Sequence, residues 1–246
     1  MQGQRIRTAG ILIIGNEILS GKVRDTNAYF LVTELRALGV DVRRILVIPD
    51  DVKTIGEEAA AFSDSFDFVF TSGGVGPTHD DVTMEGIASG FGVCLVKHPA
   101  LEDHFRTHYR DRMNDTVLKM ADVPEGAEAV EIRPGRFPLV VFRNIFIFPG
   151  IPEYLQDKFL AVRDRFRAAP IFLRKIFLNS YESEVAPGLN EVVEKYKDVA
   201  FGSYPVLHNP EYMIIVTAES RDREALEKAV REFLAKLPPQ IVVRTE

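Results

Sequence analysis

FDFVFTSGGVGPTHDDVT, residues 66–83, places a short apolar run directly before three glycines and a pair of aspartates. An apolar run bounded in this way is typical of a buried strand. Glycines that follow a strand let backbone N–H groups approach a ligand, as in an anion-binding nest. A helix predicted from Val82 to Gly90 would direct its positive end to the same point. We interpret the stretch as a strand, a phosphate-binding loop and a helix.

The residues before this stretch alternate between strand and helix in the same way. Strands are predicted at 9–15 and 40–49, and helices at 25–39 and 51–64. This order predicts a three-layer α/β domain, with a mostly parallel sheet and helices on both faces. Ligands in such sheets bind beyond the carboxyl ends of the strands, so we expect the loops that follow them to share one rim.

The remainder of the chain is less uniform. A helix is predicted from Pro99 to Arg112, a hairpin over 138–150 and a helix over 152–166. Ala168, Ala169 and Pro170 then indicate a boundary between a first domain, 1–168, and a second, 169–246. Strands and helices of the second domain follow the order βαββαβ, which predicts a small ferredoxin-like α+β unit.

Composition limits the classes of protein to which the chain can belong. It has 246 residues and a formal net charge of −6, which argues against a nucleic-acid partner. Its only cysteine, Cys94, lies in the apolar run FGVCLV, where we expect a buried, inert thiol and no disulfide. The start MQGQRIRTAG has no apolar leader segment, and no stretch reaches the roughly 18 apolar residues of a membrane span. We therefore expect a cytoplasmic protein.

Paired aspartates are the clearest signal of chemistry on the predicted rim. Asp80 and Asp81 repel each other unless a cation or hydrogen-bond donors offset the charge, so one can cap the helix while the other binds a metal ion. Asp50 and Asp51 follow the second strand and would lie on the same rim. Their simpler role is to cap the second helix. Mg²⁺ prefers a few carboxylates together with substrate phosphate oxygens.

The loop GNEILSGKVRDTN, residues 15–27, adds two further candidates. Glu17 follows directly on a buried strand, where packing alone does not explain a carboxylate. Asp25 or Thr26 is expected to cap the next helix, which leaves Asn27 without an assigned role.

Histidines give weaker signals. His79 lies inside the glycine loop and could contact a phosphate or act as a general acid or base. His104 and His108 have helical i, i+4 spacing, but no third ligand accompanies them. We interpret these two as part of a solvated helix face.

Several motifs resemble known families. GGVGPTHDDVT, with the preceding PDD and the later PGIPE, resembles the MoaB/Mog molybdopterin-binding domain family. GNEILSGKVRDTN and KMADVPEGAEAV are similar to the CinA N-terminal domain. FPLVVFRNIFIFPGIPE and FGSYP resemble the molybdopterin-binding-like domain of FAD synthase.

This resemblance implies a divalent-metal-dependent pyrophosphatase that acts on FAD or ADP-ribose, with Mg²⁺, Mn²⁺ or Co²⁺. Two alternatives remain: molybdopterin binding and adenylylation in molybdenum cofactor synthesis, or a pterin- or nucleotide-binding module without turnover. The expected partner is a small nucleotide or pterin, and the expected assembly is a dimer or trimer.

Motifs and resemblance together give three sets of predicted site residues. The catalytic residues are Asp81, Asp50 and His79; the ligand-binding residues are Gly73, Gly74, Gly76, Thr78, Asn27 and Gly150; the metal ligands are Asp81, Asp80, Asp50 and Glu17.

Overall fold

Strands beside the glycine loop form because their side chains are buried on both faces of a sheet. The computed structural model describes residues 5–133 and 135–246, and in the first strand every residue after Thr8 is buried. Contacts divide the chain into two units, 1–168 and 169–246. Residues 1–4, part of the stretch searched for a leader segment, lie outside the described residues.

The first unit is built on a six-stranded sheet with a two-stranded side sheet. Its strands are β1 (Thr8–Ile14), β2 (Asp41–Ile48), β3 (Phe68–Ser72), β4 (Leu95–Lys97), β5 (Asp122–Pro124), β6 (Glu128–Val130), β7 (Leu139–Phe142) and β8 (Ile145–Phe148). The main sheet has the order β2-β1-β3-β8-β7-β6. β2, β1, β3 and β8 are parallel, whereas β7 runs antiparallel to both of its neighbours.

Helices cover both faces of this sheet. They are α1 (Asn16–Leu19), α2 (Asn27–Ala37), α3 (Val52–Ser65), α4 (Thr83–Gly90), α5 (Pro99–Tyr109), α6 (Asp115–Lys119) and α7 (Pro152–Val162). Leu35 of α2 and Phe159 of α7 belong to one apolar core, and Ile55 of α3 and Ile87 of α4 belong to another. Because alternate residues of β1 enter the two cores, the sheet lies between them. The predicted three-layer α/β fold is confirmed.

Sheet order explains where a ligand would bind. β2, the strand that follows β1 in sequence, lies on one side of β1, and β3 lies on the other side. The strand order therefore reverses between β1 and β3. A crevice at such a switch point, outside the carboxyl ends of the strands, is the usual ligand site of open α/β sheets. The loops that begin at Gly15 and Gly73 start from these two strand ends.

The region around the side sheet departs from the sequence-based expectation. β4 and β5 pair antiparallel away from the main sheet, and every residue of β4 is exposed. Cys94 immediately precedes β4 and is exposed, so the prediction of a buried thiol was wrong. Its apolar neighbours suggested burial, but the segment lies on the surface. The hairpin predicted over 138–150 is present as β7 and β8, with Arg143 at a positive φ of 54°.

The second unit has its own sheet and its own core. Its elements are β9 (Phe172–Leu178), α8 (Glu182–Lys195), β10 (Ala200–Pro205), β11 (Ile214–Ser220), α9 (Arg223–Ala235) and β12 (Val242–Thr245). The strands form an antiparallel sheet in the order β10-β11-β9-β12, as predicted for a ferredoxin-like unit. Ile176, Val216 and Phe233 are fully buried in its core. Within the described ranges of both units, no helix has the length and apolar character needed to span a membrane.

Candidate functional site

The glycine loop adopts a conformation that only glycine accommodates without strain. Gly73 and Gly74 have φ angles of 109° and 64°. A Cβ atom on Gly73 would lie 2.0 Å from the carbonyl oxygen of Ile14, and one on Gly74 would lie 2.4 Å from Oγ1 of Thr83. Thr83 closes the loop, since its Oγ1 donates to the Gly73 carbonyl at 2.9 Å and its N–H donates to the Gly74 carbonyl at 3.0 Å. The start of α4 is thereby tied to the end of β3.

Asp81 holds the second half of this loop. Its Oδ1 accepts a hydrogen bond from the N–H of Gly76 at 2.6 Å. Its Oδ2 accepts from the N–H and the Oγ1 of Thr78, at 2.8 and 2.5 Å. The carboxylate is therefore surrounded by three donors of its own loop, and Thr78 serves to position it.

Neither aspartate of the pair caps α4. The N-cap residue is Val82, and no side chain of the described residues accepts a hydrogen bond from the first turn. In that turn the N–H of Thr83 is paired with the Gly74 carbonyl, whereas those of Met84 and Glu85 have no acceptor among the described residues. In the described part of the chain, the N–H groups of Gly74 and Val75 also have no acceptor. Unpaired N–H groups at a helix N-terminus and in an adjacent loop attract anions. This combination fits a phosphate group at the end of β3.

Asp50 and Asp51 have different roles. Asp51 caps α3 by accepting hydrogen bonds from the N–H and Oγ1 of Thr54, at 2.8 and 2.7 Å. These bonds lower the pKa of the Asp51 carboxyl. Asp50 accepts from the N–H of Asn16 through Oδ2 at 2.7 Å, which joins the loops after β1 and β2. Its Oδ1 faces Gly74, at 3.6 Å from the position of a Cβ there.

Asn27 joins two further loops of the rim. Its Nδ2 donates to Oγ of Ser72 at 2.9 Å and to the carbonyl oxygen of Gly150 at 2.7 Å. The residue is only 5% exposed, and its Oδ1 is buried without a hydrogen-bond partner. Asp25 accepts from the N–H groups of Asn27 and Ala28, so it supports the start of α2 as expected. The loops after β1, β2, β3 and β8 thus meet, which confirms the predicted rim.

A cavity of about 800 Å³ opens beside this rim. Its volume is near the upper end of the range of about 300–1,000 Å³ that is usual for small-molecule sites. The predicted residues that line it are Glu17, Gly73, Gly74, Gly76, Asp81 and Gly150. Those that do not line it are Asn27, Asp50, Thr78, His79 and Asp80. His79 is almost fully solvated, with 97% of its side chain exposed.

The cavity also has a wall that the sequence did not predict. His104, His108 and Tyr109 of α5 line it together with Phe137. His104 is half-buried, and burial lowers its pKa, with the neighbouring His108 as a second cause. The interpretation of these two residues as a solvated helix face is therefore wrong for His104, whereas His108 is exposed as expected. Their i, i+4 spacing correctly predicted one shared face, but only the packing of α5 showed that this face borders a cavity.

Lys158 is a second residue that sequence reasoning missed. It lies on α7 among apolar neighbours with 6% exposure, and Nζ donates to the carbonyl oxygens of Phe137 and Pro138. Burial lowers the pKa of this amine to about 7. Because charged residues are frequent on amphipathic helices, nothing in the sequence set this lysine apart from a surface lysine.

The described residues offer carboxylates for a metal ion but no complete protein cage. Across 5–133 and 135–246, no three His, Cys, Asp or Glu side chains form a metal-binding cluster. Glu17 is exposed, lies against Gly15 and lines the cavity, and its carboxylate accepts no hydrogen bond from the described residues. Together with Oδ1 of Asp50, this donor set suits Mg²⁺ or a similar ion, which uses one or two carboxylates plus substrate phosphates.

Comparisons with known proteins agree with this architecture. Residues 10–165 match the family described as probable molybdopterin binding domain, and residues 170–246 match the middle domain of FAD synthase. A protein of Archaeoglobus fulgidus is 37% identical, over 91% of this chain and 95% of its own length. The probable FAD synthase of Caenorhabditis briggsae is 33% identical over 96% of this chain, which spans about half (50%) of that relative.

Among solved structures, the protein CinA of unknown function from Thermoplasma acidophilum is similar to the chain. It is 31% identical with a TM-score of 0.61, and the match covers 65% of this chain and 98% of that one. The glycine loop, the sheet order and these matches lead to one assignment: the chain belongs to the family of probable molybdopterin-binding domains.

Proposed function

We propose that the first unit is a divalent-metal-dependent pyrophosphatase of a nucleotide diphosphate, with FAD or ADP-ribose as the substrate type. One observation carries this proposal: backbone N–H groups without an acceptor and a carboxylate border the same cavity. Among the described residues, the N–H groups of Gly74 and Val75, and those of Met84 and Glu85 in the first turn of α4, have no acceptor and suit a phosphate. The carboxylate of Glu17, which lines the cavity, suits a cation, and Oδ1 of Asp50 lies next to this lining, beside Gly74. The relatives named probable FAD synthase add support for a flavin nucleotide.

In the proposed reaction, a water oxygen bonds to one phosphorus of the diphosphate and the bridging P–O bond breaks. FAD would give FMN and AMP, and the proton of the attacking water passes to solvent. The N–H groups of the loop and of α4 bind the phosphate oxygens and stabilise the charge that develops on them. Asp81 acts as a positioning residue, because its three hydrogen bonds fix the loop that carries these donors.

Glu17 and Asp50 would hold the divalent ion. When bound, such an ion neutralises the diphosphate and acidifies a water molecule. His79 and Asp80, which were predicted as a catalytic residue and a metal ligand, have no role in this proposal, because both are exposed and neither lines the cavity. Asp50 does not line the cavity either, but its Oδ1 faces Gly74, which does.

A product assay with a matched pair of variants tests the proposal. Purified protein is incubated with FAD, ADP-ribose or NAD and with Mg²⁺, Mn²⁺ or Co²⁺, and AMP is measured by chromatography. We expect metal-dependent AMP release that falls about 100-fold or more in Glu17→Gln, since loss of one metal ligand or its charge costs several kcal/mol. Asp80→Asn is the control, and we expect it to retain activity. Full activity in Glu17→Gln would refute the assignment of the site.

A second candidate rests on the family match. Members of this family are described as probable molybdopterin-binding domains, and the aromatic wall of the cavity suits a pterin ring. Tight pterin binding with no AMP release from any of the three nucleotides would favour molybdopterin binding or adenylylation over the pyrophosphatase.

A further inference from the structure

The cavity is larger than a diphosphate needs. Glycine-loop residues and Asp81 line one part of it, and these account for the phosphates in the proposed function. The residues of α5 and Phe137 line the same cavity, yet the proposed reaction assigns them no role. A ligand that fills the cavity must therefore present further groups to this second wall.

The second wall is aromatic; His104, Tyr109 and Phe137 are half-buried, whereas His108 is exposed. Phe137 packs against Phe105 with ring centroids 4.9 Å apart, and His104 approaches Phe137 at 5.6 Å. The imidazole rings of His104 and His108 are nearly parallel, with an interplanar angle of 5°. Tyr109 follows on the same helix and is also half-buried. Half-buried aromatic side chains that border a cavity provide stacking surfaces for a flat ring.

Buried contacts hold this wall in place. Nζ of Lys158 lies 4.5 Å from the ring centroid of Phe137 and donates to the carbonyl oxygen of the same residue. Phe105 is buried in the core and anchors α5 beneath Phe137. The wall is thus formed before a ligand binds, which reduces the entropy lost on binding. The lowered pKa of His104 favours a neutral imidazole near pH 7, which suits stacking.

We propose that His104, Tyr109 and Phe137 form a subsite for an aromatic ring system of a dinucleotide diphosphate whose phosphates lie at the glycine loop. This inference rests on the proposed function and narrows its substrate class. A dinucleotide fills both parts of the cavity, whereas inorganic pyrophosphate leaves the aromatic wall without a partner.

Binding without turnover tests the subsite. The affinities of FAD, ADP-ribose and inorganic pyrophosphate are measured by calorimetry on the full chain in EDTA, and flavin fluorescence is recorded in parallel. The variants are His104→Ala and Phe137→Leu; leucine keeps the backbone carbonyl that Lys158 contacts. Arg106→Ala is the matched control, because this exposed residue of α5 pairs with Glu102 and does not line the cavity.

We expect FAD affinity to fall about tenfold in each variant, the effect of removing one stacking partner. Pyrophosphate affinity should stay unchanged, and the control should match the wild type. Loss of the flavin fluorescence change in the variants would identify the flavin as the bound ring. An equal loss for ADP-ribose with an unaltered flavin signal would identify the adenine.

Unchanged FAD affinity in both variants would overturn the subsite. An equal loss of pyrophosphate affinity in the variants, or the absence of FAD binding to the wild type, would also overturn it. FAD binding without AMP release in the presence of metal ions would refute the pyrophosphatase alone. The two proposals therefore fail through different results.

Discussion

Asp81 accepts three hydrogen bonds from its own loop, and we expect that loop to loosen when they are removed. In Asp81→Ala the N–H groups of Gly76 and Thr78 lose their acceptor. Hydrogen bonds to a charged group contribute about 1.5–3 kcal/mol each, less where water can replace the partner. We predict that these two amides exchange at least about tenfold faster, the factor for 1.4 kcal/mol, and that AMP release falls. Hydrogen exchange read by NMR measures the first effect.

Asp80→Ala is the comparison for this prediction. Asp80 is the neighbouring residue, but it is exposed, and the N–H groups of Gly76 and Thr78 donate to Asp81 and not to it. Exchange rates at Gly76 and Thr78 that stay the same in Asp81→Ala, with activity lost, would instead assign Asp81 a direct contact with substrate or metal.

Lys158 should make the stability of the protein depend on pH. Its folded pKa of about 7 lies below the unfolded value of 10.5, so between these values the unfolded chain binds more protons than the folded one. The free energy of unfolding therefore rises with pH in this window, by up to about 1.4 kcal/mol per pH unit from this one group. Below pH 7 the buried charge opposes folding.

Lys158→Met should remove this rise of the free energy of unfolding with pH. The variant leaves the carbonyl oxygens of Phe137 and Pro138 without a donor, which costs about 1–3 kcal/mol. In urea unfolding from pH 6 to pH 10, the free energy of unfolding of the wild type minus that of the variant should increase steadily as the pH rises. The same change at Lys119, an exposed lysine, is the control. A difference in the free energy of unfolding that stays constant across this range would contradict the prediction.

Helices and strands were predictable where one residue type dictates the local backbone. The apolar runs of β1 and β3 must be buried on both faces, so their parallel pairing followed from the sequence. Gly39 has a φ of 84° just after α2, as expected for a glycine that ends a helix. β4 and β5 were missed because each has three residues, too few for a period to show.

The same distinction applies to the site. The glycine loop and the rim were predictable, since Gly73 and Gly74 occupy positions that only glycine tolerates. The wall made by α5 was not, because a sequence shows which residues share a helix face but not what that face borders. Hydrogen-bond partners were equally hidden: Asp81 binds its own loop, whereas Asp51 caps a helix, although both are aspartates that precede helices.

The two units are separate in their cores. Leu35 and Ile55 belong to cores within residues 1–168, whereas Ile176 and Phe233 belong to a core within 169–246. The two family matches end and begin close to the same division, at residues 165 and 170. Every described residue that lines the cavity belongs to the first unit.

We therefore predict that residues 1–168 fold alone and retain the function of the cavity. A domain with its own apolar core can fold independently, and this unit contributes every cavity-lining residue. A chain that ends at Ala168 should unfold cooperatively in urea and bind FAD with the affinity of the full chain. The complementary chain, 169–246, should fold but bind no FAD. If the shorter first unit folds yet loses FAD affinity, the second unit must supply part of the binding energy, and the site cannot be assigned to residues 1–168 alone.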